Sequence, residues 1–306
     1  MAAAARLRIA TRGSALALWQ AERVASLVRR AEPGVEVEVV RVETTGDRDR
    51  TVPIWELGGK GAFAKEVQYA VLDGRADIAV HSAKDLPSAT PDGLVIAAIT
   101  ERADPRDALV GSTLGDLPVN GVVATGSLRR QAQLAHARPD LRFEGLRGNM
   151  DTRIARASAP GVDAVVVAAA ALDRLQLSDH IAERLDPDVM LPQVAQGALA
   201  VECRADDTDT RVLLGVVEHR PTRHAVDAER AFLAELGGDC SLPAAAHATI
   251  AGTTLRIRGL VSSADGVVVV RHELSGPPTG GPALGRQVAR HLLDDQDGAK
   301  LLGRAL

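Results

Sequence analysis

Aromatic side chains are scarce in this chain: phenylalanine, tryptophan and tyrosine together make up 2% of its 306 residues. The hydrophobic core must therefore be built from alanine, valine, leucine and isoleucine. The chain has only two cysteines, Cys203 and Cys240, which are too few for a disulfide framework. In a cytosolic protein either one could be a buried thiol or a nucleophile.

Long apolar runs are also missing, and none reaches the length that a bilayer requires. The alanine-rich start is interrupted by Arg6 and Arg8, so we expect neither a signal peptide nor a membrane span, and we place the protein in the cytoplasm. The net charge of −4 gives no general attraction to nucleic acid or to an anionic membrane. The length is sufficient for two or three globular domains.

A short apolar run followed by a dense polar cluster marks the stretch from Ala76 to Pro87. The run is too short for a helix and predicts a buried strand around Ile78. The polar residues that follow it are His81, Ser82, Lys84 and Asp85. Open α/β sheets bind ligands beyond the carboxyl ends of their strands, so Asp85 is a candidate acid or base whose pKa burial and Lys84 could shift. The alternative is a solvated turn between a strand and a loop.

Alternating strand and helix patterns run through the first two thirds of the chain. The other predicted strands there include 7–11, 35–42, 94–99 and 198–203, and the predicted helices include 15–30 with Ser14 as N-cap, 62–72 and 207–217. The strand and turn at 9–14 are echoed at 121–130, and residues 74–80 are echoed at 161–168. We therefore predict two similar α/β halves.

The last third of the chain has a different order of elements. It predicts a helix to Leu236, three strands near 247–251, 255–262 and 266–273, and a final helix through Leu293. Grouped strands with helices outside them indicate a small α+β unit.

Arginines form the strongest constellation. Each of six lies near the predicted end of a strand or the first turn of the next helix, where helix N-termini attract anions. A guanidinium adds bidentate binding of carboxylate or phosphate. The six are Arg12, Arg129, Arg130, Arg147, Arg153 and Arg174. A single exposed arginine is usually only solvated, but six at one topological edge predict a ligand with several negative groups.

Two further residues lie in glycine-rich loops. Lys60 is flanked by glycines as in a phosphate cradle, but the Walker spacing is missing. Cys240 follows a predicted helix in a loop that could present its thiol into a cleft, the alternative being a small buried hydrophobe, which suits Cys203 better. The histidines show no metal-ligand spacing, so no metal is predicted.

Taken together, the motifs resemble the porphobilinogen deaminase (hydroxymethylbilane synthase) family, in family order and over nearly the whole chain. The matching stretches are IATRGS at 9–14 with LALWQ at 16–20, GKGAFAKE at 59–66, DIAVHSAKDLP at 77–87, DPRD at 104–107, TGSLRR at 125–130, RGNMDTR at 147–153, QG at 196–197 and GGDCSLP at 237–243.

The resemblance implies an α/β fold of two similar doubly wound, periplasmic-binding-protein-like lobes around a cleft, plus a small α+β C-terminal domain. The implied domains are 1–98 with 198–217, then 103–194, then 221–306. It implies a transferase of haem and other tetrapyrrole biosynthesis that joins four porphobilinogen molecules head to tail, releasing ammonia, to give hydroxymethylbilane. We expect a cytoplasmic monomer whose partner is this small-molecule substrate, with no nucleic acid and no membrane.

The resemblance also implies roles for residues. Cys240 would hold a dipyrromethane cofactor through a thioether, and Asp85 would assist deamination and stabilise cationic pyrrole intermediates. The six arginines would bind acetate and propionate side chains. The other cofactor and substrate contacts would be Ser14, Lys60, Ser82, Lys84, Thr125, Ser127 and Gln196.

This chain departs from the family pattern at Asp239, where we expect glycine; a carboxylate there could raise the pKa of the neighbouring thiol. Ala62 and Ala64 replace bulkier apolar residues, and neither departure removes a catalytic group. The rival hypothesis is a non-catalytic solute-binding module for an acidic small molecule, since two α/β lobes around a cleft also describe those proteins. Asp85 and Cys240 favour the enzyme, because a simple anion binder needs neither.

Overall fold

The computed structural model describes residues 6–43, 64–237 and 242–303, and the strands of this part form three sheets. The strands are β1 (Arg6–Arg12), β2 (Glu36–Val42), β3 (Ile78–Ser82), β4 (Leu94–Ile99), β5 (Asp107–Val110), β6 (Val122–Ala124), β7 (Arg142–Glu144), β8 (Ala164–Ala168), β9 (Ile181–Arg184), β10 (Leu199–Arg204), β11 (Ala244–Ala251), β12 (Thr254–Ser262) and β13 (Val269–Gly276).

Helices precede or follow most of these strands. They are α1 (Ala15–Ala31), α2 (Lys65–Leu72), α3 (Leu128–Ala137), α4 (Met150–Ala157), α5 (Ala169–Arg174), α6 (Thr208–Leu214), α7 (Arg220–Glu235), α8 (Gly281–Arg290) and α9 (Gly298–Leu301). None of the helices in the described ranges is long and apolar enough to span a bilayer.

The two five-stranded sheets have the same topology. One has the order β2-β1-β3-β10-β4 and the other β7-β6-β8-β5-β9. In each sheet the first three strands are parallel, and the fourth is antiparallel to both of its neighbours. The predicted fold class, two similar doubly wound α/β lobes with a small α+β part, is confirmed.

Contacts divide the chain into two compact units, 1–102 with 198–223 and 103–197 with 224–306. The first unit contains the β1–β3 sheet, and its core includes Ile9, Ile78 and Val201, all with 0% exposure. The second unit contains both the β6–β8 sheet and the three-stranded sheet. The boundaries of three separate domains stay a prediction.

The three-stranded sheet β11-β12-β13 is entirely antiparallel and is covered by α8. Within the second unit it packs on the lobe through Leu191, Ala245 and Leu260. The turn between β12 and β13 also reaches α3, where a Cβ at Gly266 would lie 2.2 Å from the Ala132 carbonyl oxygen. The C-terminal part therefore contacts the helix that carries two of the predicted arginines.

Local sequence explains where the first helix begins. Ser14 has extended backbone, and its Oγ accepts a hydrogen bond from the Ala17 N–H at 3.3 Å, so the predicted N-cap is confirmed. Several predicted bounds were wrong, among them those of the strand β3 and of the final helix. The strand β3 continues through His81 and Ser82, and the final helix ends at Arg290, where a π-helical turn at His291–Asp295 replaces it.

Candidate active site

In the first unit, the predicted polar cluster lies at the carboxyl edge of the sheet. β1 and β3 are parallel neighbours, so the end of β1 at Arg12 and the end of β3 at Ser82 lie at the same edge. The Gln20 Nε2 donates to Ser82 Oγ at 2.8 Å, which joins α1 to the end of β3. The fold thus brings Arg12, Ser14 and Ser82 to one edge of this lobe.

Lys84 and Asp85 follow Ser82 directly in a single 3₁₀ turn, Ala83–Asp85. Lys84 is half-buried and Asp85 is exposed. The expectation of a buried Asp85 carboxyl was therefore wrong. Its exposure leaves the carboxylate accessible to a ligand, and its catalytic role stays a prediction.

A buried polar network lies beneath this edge and was missed by the sequence reasoning. His81 Nε2 lies 3.0 Å from Glu202 Oε2, and Gln68 Nε2 donates to the same carboxylate at 2.9 and 3.2 Å. Glu202 is 1% exposed. The available signal was an acidic residue between the apolar residues Val201 and Cys203 of β10. Its contacts fix β3 to β10 and α2 just before the polar cluster.

In the second unit, the predicted arginines gather around a carboxylate that the sequence reasoning gave no role. Asp107 is the first residue of β5 and has no exposure. Arg129 Nη1 lies 2.8 Å from its Oδ2, while Arg130 donates from Nε at 2.9 Å and from Nη2 at 2.8 Å to Oδ1. Both arginines are in the first turn of α3, and both are buried. The alternative of solvated helix-face arginines is therefore wrong for this pair.

The charges of this cluster support one another. Burial alone raises the pKa of the Asp107 carboxyl, but the two guanidiniums, together with a hydrogen bond from Gln196, outweigh burial and hold that pKa well below its usual range. Burial lowers the pKa of Arg129, and Asp107 opposes that shift. One carboxylate facing two guanidiniums leaves a local excess of positive charge.

Among the described residues, not every side-chain N–H donor of Arg129 has an acceptor. Its Nη1 donates to the Leu191 carbonyl at 2.8 Å, whereas its Nε and Nη2 are buried without a hydrogen-bond partner in the part of the chain that the structure describes. Buried donors are rarely left unsatisfied. They mark a place where an acceptor such as a carboxylate would be stabilised.

Arg174 was expected near a strand end or in the first turn of a helix, and that placement was wrong. It is the last residue of the short helix α5, it is 9% exposed, and its Nη2 donates to the Gly197 carbonyl at 2.6 Å. Gln196 has no exposure, and its Nε2 donates to Asp107 Oδ1 at 3.0 Å and to the Pro105 carbonyl at 2.7 Å. Gln196 thus helps to hold Asp107, the carboxylate that Arg129 and Arg130 share.

The remaining predicted residues of the second unit lie on the adjoining loops. Thr125 follows β6, and its Oγ1 accepts from the Ser127 N–H at 3.2 Å, which shapes the entry to α3. Arg147 lies in the loop before α4, and Arg153 in α4 donates from Nε to the Gly148 carbonyl at 2.9 Å. Their roles as ligand contacts stay predictions.

Models of known families match almost the whole chain. Residues 7–212 match the dipyromethane cofactor binding domain of porphobilinogen deaminase, and residues 224–294 match the C-terminal domain of the same enzyme. The chain belongs to the porphobilinogen deaminase family. The resemblance predicted from the motifs is confirmed.

Curated members of the deaminase family are similar over nearly their full length. The porphobilinogen deaminase of Geobacter sulfurreducens is 47% identical over 292 residues, covering 95% of this chain and 92% of that protein. The porphobilinogen deaminase of Pelobacter propionicus is 47% identical over 289 residues, covering 94% and 93%.

Solved structures give more distant similarities. A YaeC-family lipoprotein from Enterococcus faecalis is 13% identical with a TM-score of 0.41, covering 70% of this chain and 91% of that one. A domain of BvgS from Bordetella pertussis is 16% identical with a TM-score of 0.40, covering 69% and 86%.

Two of the predicted site residues, Lys60 and Cys240, lie outside the described part of the chain, as do the departures from the family pattern at Ala62 and Asp239. The other cysteine, Cys203, has no exposure, and burial raises its pKa to about 11. It is an unreactive core thiol, as its position at the end of an apolar strand suggested. Among the described residues, no group of three or more histidine, cysteine or acidic side chains could hold a metal ion.

Proposed function

We propose that the chain is a transferase that joins four porphobilinogen molecules head to tail, releases ammonia at each addition, and yields hydroxymethylbilane for tetrapyrrole biosynthesis. The observation that carries this proposal is the family match over residues 7–212 and 224–294. The buried arginine cluster around Asp107 agrees with it, because each pyrrole unit carries two carboxylates and the growing product is a polyanion.

The described residues fit a dipyrromethane cofactor. The unpartnered Nε and Nη2 of Arg129 match carboxylate oxygens, and one Asp107 neutralises only part of the charge of Arg129 and Arg130. When bound, the dipyrromethane supplies a covalently held primer for chain extension. We assign its attachment to Cys240, on the basis of the family motif alone.

The arginines bind and orient carboxylates. Arg129 and Arg130 are held rigidly by Asp107 and by backbone carbonyls, so little conformational entropy is lost when they bind. Arg147 adds a guanidinium from the loop before α4, Arg153 adds one from α4, and Arg174 adds one from α5. Further contacts are assigned to Arg12, Ser14, Lys60, Ser82, Lys84, Thr125, Ser127 and Gln196.

Asp85 supplies the negative charge that the chemistry needs. Loss of ammonia from a pyrrole methylamine develops positive charge, and a nearby carboxylate stabilises it. Asp85 is exposed on a 3₁₀ turn whose start is anchored through Ser82 and Gln20. A fixed but accessible carboxylate can both stabilise the cation and exchange protons with the departing group.

We further propose that the enzyme is a cytoplasmic monomer and that it binds neither nucleic acid nor membrane. The net charge of −4 supports the last two points, since both surfaces are anionic. The rival function, a non-catalytic binder of acidic small molecules, gains no support from the family matches.

Intact-protein mass after incubation with porphobilinogen tests the function. The wild-type chain should carry at least two extra pyrrole units, and Cys240→Ser should remain at the mass of the bare polypeptide. Cys203→Ser is the matched control and should gain the same mass as wild type, because Cys203 is buried. A wild-type chain that gains no mass and turns over no porphobilinogen would indicate the binder instead.

Replacing Asp85 tests the catalytic assignment. Asp85→Asn should lower turnover at least about 100-fold, because the electrostatic partner of the developing cation is lost. The unfolding midpoint should not change, since Asp85 is exposed. Asp92→Asn, an exposed carboxylate a few residues further on, should keep wild-type turnover. Equal rates for the two variants would refute the role of Asp85.

A further inference from the structure

A three-residue turn, 195–197, connects the arginine cluster around Asp107 to helix α7. Its first residue, Ala195, has a φ of +60°, a left-handed conformation that is unfavourable for any residue with a Cβ. Ala195 has no polar side chain that could stabilise this conformation locally. Such backbone persists only where surrounding contacts enforce it, and it is concentrated near functional sites.

The enforcing contact comes from Glu229 in α7. Its Oε2 accepts a hydrogen bond from the Ala195 N–H at 2.6 Å, and its Oε1 accepts one from the Ala248 N–H at 2.7 Å. Glu229 has no exposure. Charge-assisted hydrogen bonds of this kind are about twice as strong as neutral ones, so Glu229 ties the turn to both α7 and β11.

The next two residues of the turn contact the arginine cluster. Gln196 donates to Asp107, which is the shared counter-ion of Arg129 and Arg130. Gly197 has a φ of +92°, and its carbonyl accepts from Arg174. The turn therefore contacts Arg174 directly and contacts Arg129 and Arg130 through their shared counter-ion.

We propose that Glu229 is a positioning residue for substrate and cofactor carboxylates. By holding Ala195 in its left-handed conformation, it sets Gln196 against Asp107 and the Gly197 carbonyl against Arg174, and so fixes the direction of three guanidiniums. This inference rests on the proposed function, because it takes the ligand to be the carboxylates of porphobilinogen and its oligomers.

The deciding variant is Glu229→Gln in the full chain. The amide NH₂ of glutamine would face one of the two backbone N–H groups, donor against donor, and release the turn. The KM for porphobilinogen should rise about tenfold while kcat stays within about twofold, since carboxylate binding is shared by the ground state and the transition state. A merely structural role would instead lower the active fraction, and so the apparent kcat, at constant KM.

Two companion variants make the test specific. Glu235→Gln lies on the same helix, where Glu235 forms a surface ion pair with Arg290, and it should leave KM unchanged. Ala195→Gly in the Glu229→Gln background should return KM to within about threefold of wild type, because glycine adopts a positive φ without strain. Should Glu229→Gln yield no soluble protein, Glu229→Asp decides on the same KM criterion, because its side chain keeps the charge but is too short to accept from both the Ala195 and the Ala248 N–H.

A second readout does not depend on turnover. Apoprotein is titrated with porphobilinogen and cofactor assembly is followed by intact mass; Glu229→Gln should need about ten times more porphobilinogen for half-maximal assembly.

An unchanged KM and an unchanged assembly curve for Glu229→Gln, measured beside an active wild type, would overturn the positioning role alone. A raised KM that Ala195→Gly does not lower would overturn the route through the turn. An inactive wild type that assembles no cofactor would overturn the proposed function, and this inference with it.

Discussion

At Asp107 two guanidiniums converge on a carboxylate that has no access to solvent. Taking three charged groups out of water is costly, and their mutual attraction offsets that cost only when the geometry and the remaining hydrogen bonds are good. Gln196 and the carbonyls of Leu191 and Val166 supply those bonds. The cluster therefore holds donors that are already oriented, as the proposed binding of ligand carboxylates requires.

Asp107→Asn should lower the free energy of unfolding by about 3–5 kcal/mol at pH 7, because it leaves two buried cations without a counter-ion. The pKa of Asp107 is depressed in the folded state, so its contribution is complete above the unfolded pKa of about 3.9 and is lost as the pH falls towards the folded value. The difference between wild type and variant should thus be constant from about pH 7 to pH 5 and shrink below about pH 4.

Urea unfolding at several pH values measures this difference. Asp179→Asn is a suitable control because Asp179 is exposed, and it should change stability by less than about 0.5 kcal/mol. A difference for Asp107→Asn that stays constant down to pH 3 would show that the carboxylate charge is not the cause.

The sequence predicted these arginines but not how they are held. A strand followed by Gly-Ser and a helix places Arg129 and Arg130 in a first helical turn, which is a local pattern. Their burial depends on Asp107 and Leu191, which are distant in sequence and are brought close by the strand order. The same holds for Glu202, whose partners His81 and Gln68 come from other elements.

At the scale of elements, repeated local motifs predicted a repeated topology. The Gly-Ser pairs before the first helix of each lobe, at 13–14 after β1 and at 126–127 after β6, stand at equivalent positions in two sheets with the same strand order. The three-residue strands β6 and β7 are too short to show a period of two, so periodicity alone cannot detect them. At Ser82 the sequence pattern placed the end of a strand too early. A polar residue at a strand end has the composition typical of a loop, although its backbone still pairs with β10.

The contact between α7 and α8 gives a prediction for the C-terminal part. A Cβ at Gly285 in α8 would lie 2.0 Å from the Ala228 carbonyl oxygen and 3.1 Å from the Phe232 nitrogen, both in α7. Gly285→Ala gains about 1 kcal/mol in helix propensity, but backbone atoms cannot move aside cheaply. We expect a net loss of about 1–3 kcal/mol of stability.

Thermal and urea unfolding compare Gly285→Ala with Gly280→Ala. At Gly280, which precedes α8, the nearest atom to an added Cβ is 3.8 Å away, so that variant should be nearly neutral. A Gly285→Ala protein as stable as wild type would mean that the two helices are not in close backbone contact.

At the scale of the whole molecule, an acidic protein is proposed to bind an acidic ligand. The net charge is −4, so long-range attraction does not bring porphobilinogen oligomers to the protein. Binding must come from local groups such as the Arg129–Arg130 pair, where low exposure limits screening by salt. In the proposed function, positive charge is thus concentrated at the buried arginines, although the net charge of the protein is negative.

This charge balance predicts a separation between apoprotein and holoprotein. A dipyrromethane carries two carboxylates on each of its two rings, so its covalent attachment should move the net charge from −4 to about −8 at pH 7, given carboxyl pKa values near 4.

Anion-exchange chromatography measures this difference in charge. Wild type should elute later than Cys240→Ser, and porphobilinogen added to wild type should produce still later species, each with two more negative charges. Cys240→Ser should elute at one position with or without porphobilinogen. A shift of Cys240→Ser on addition of porphobilinogen would place the attachment at another residue, and coelution of wild type with the variant would show that no carboxylate-bearing group is held covalently.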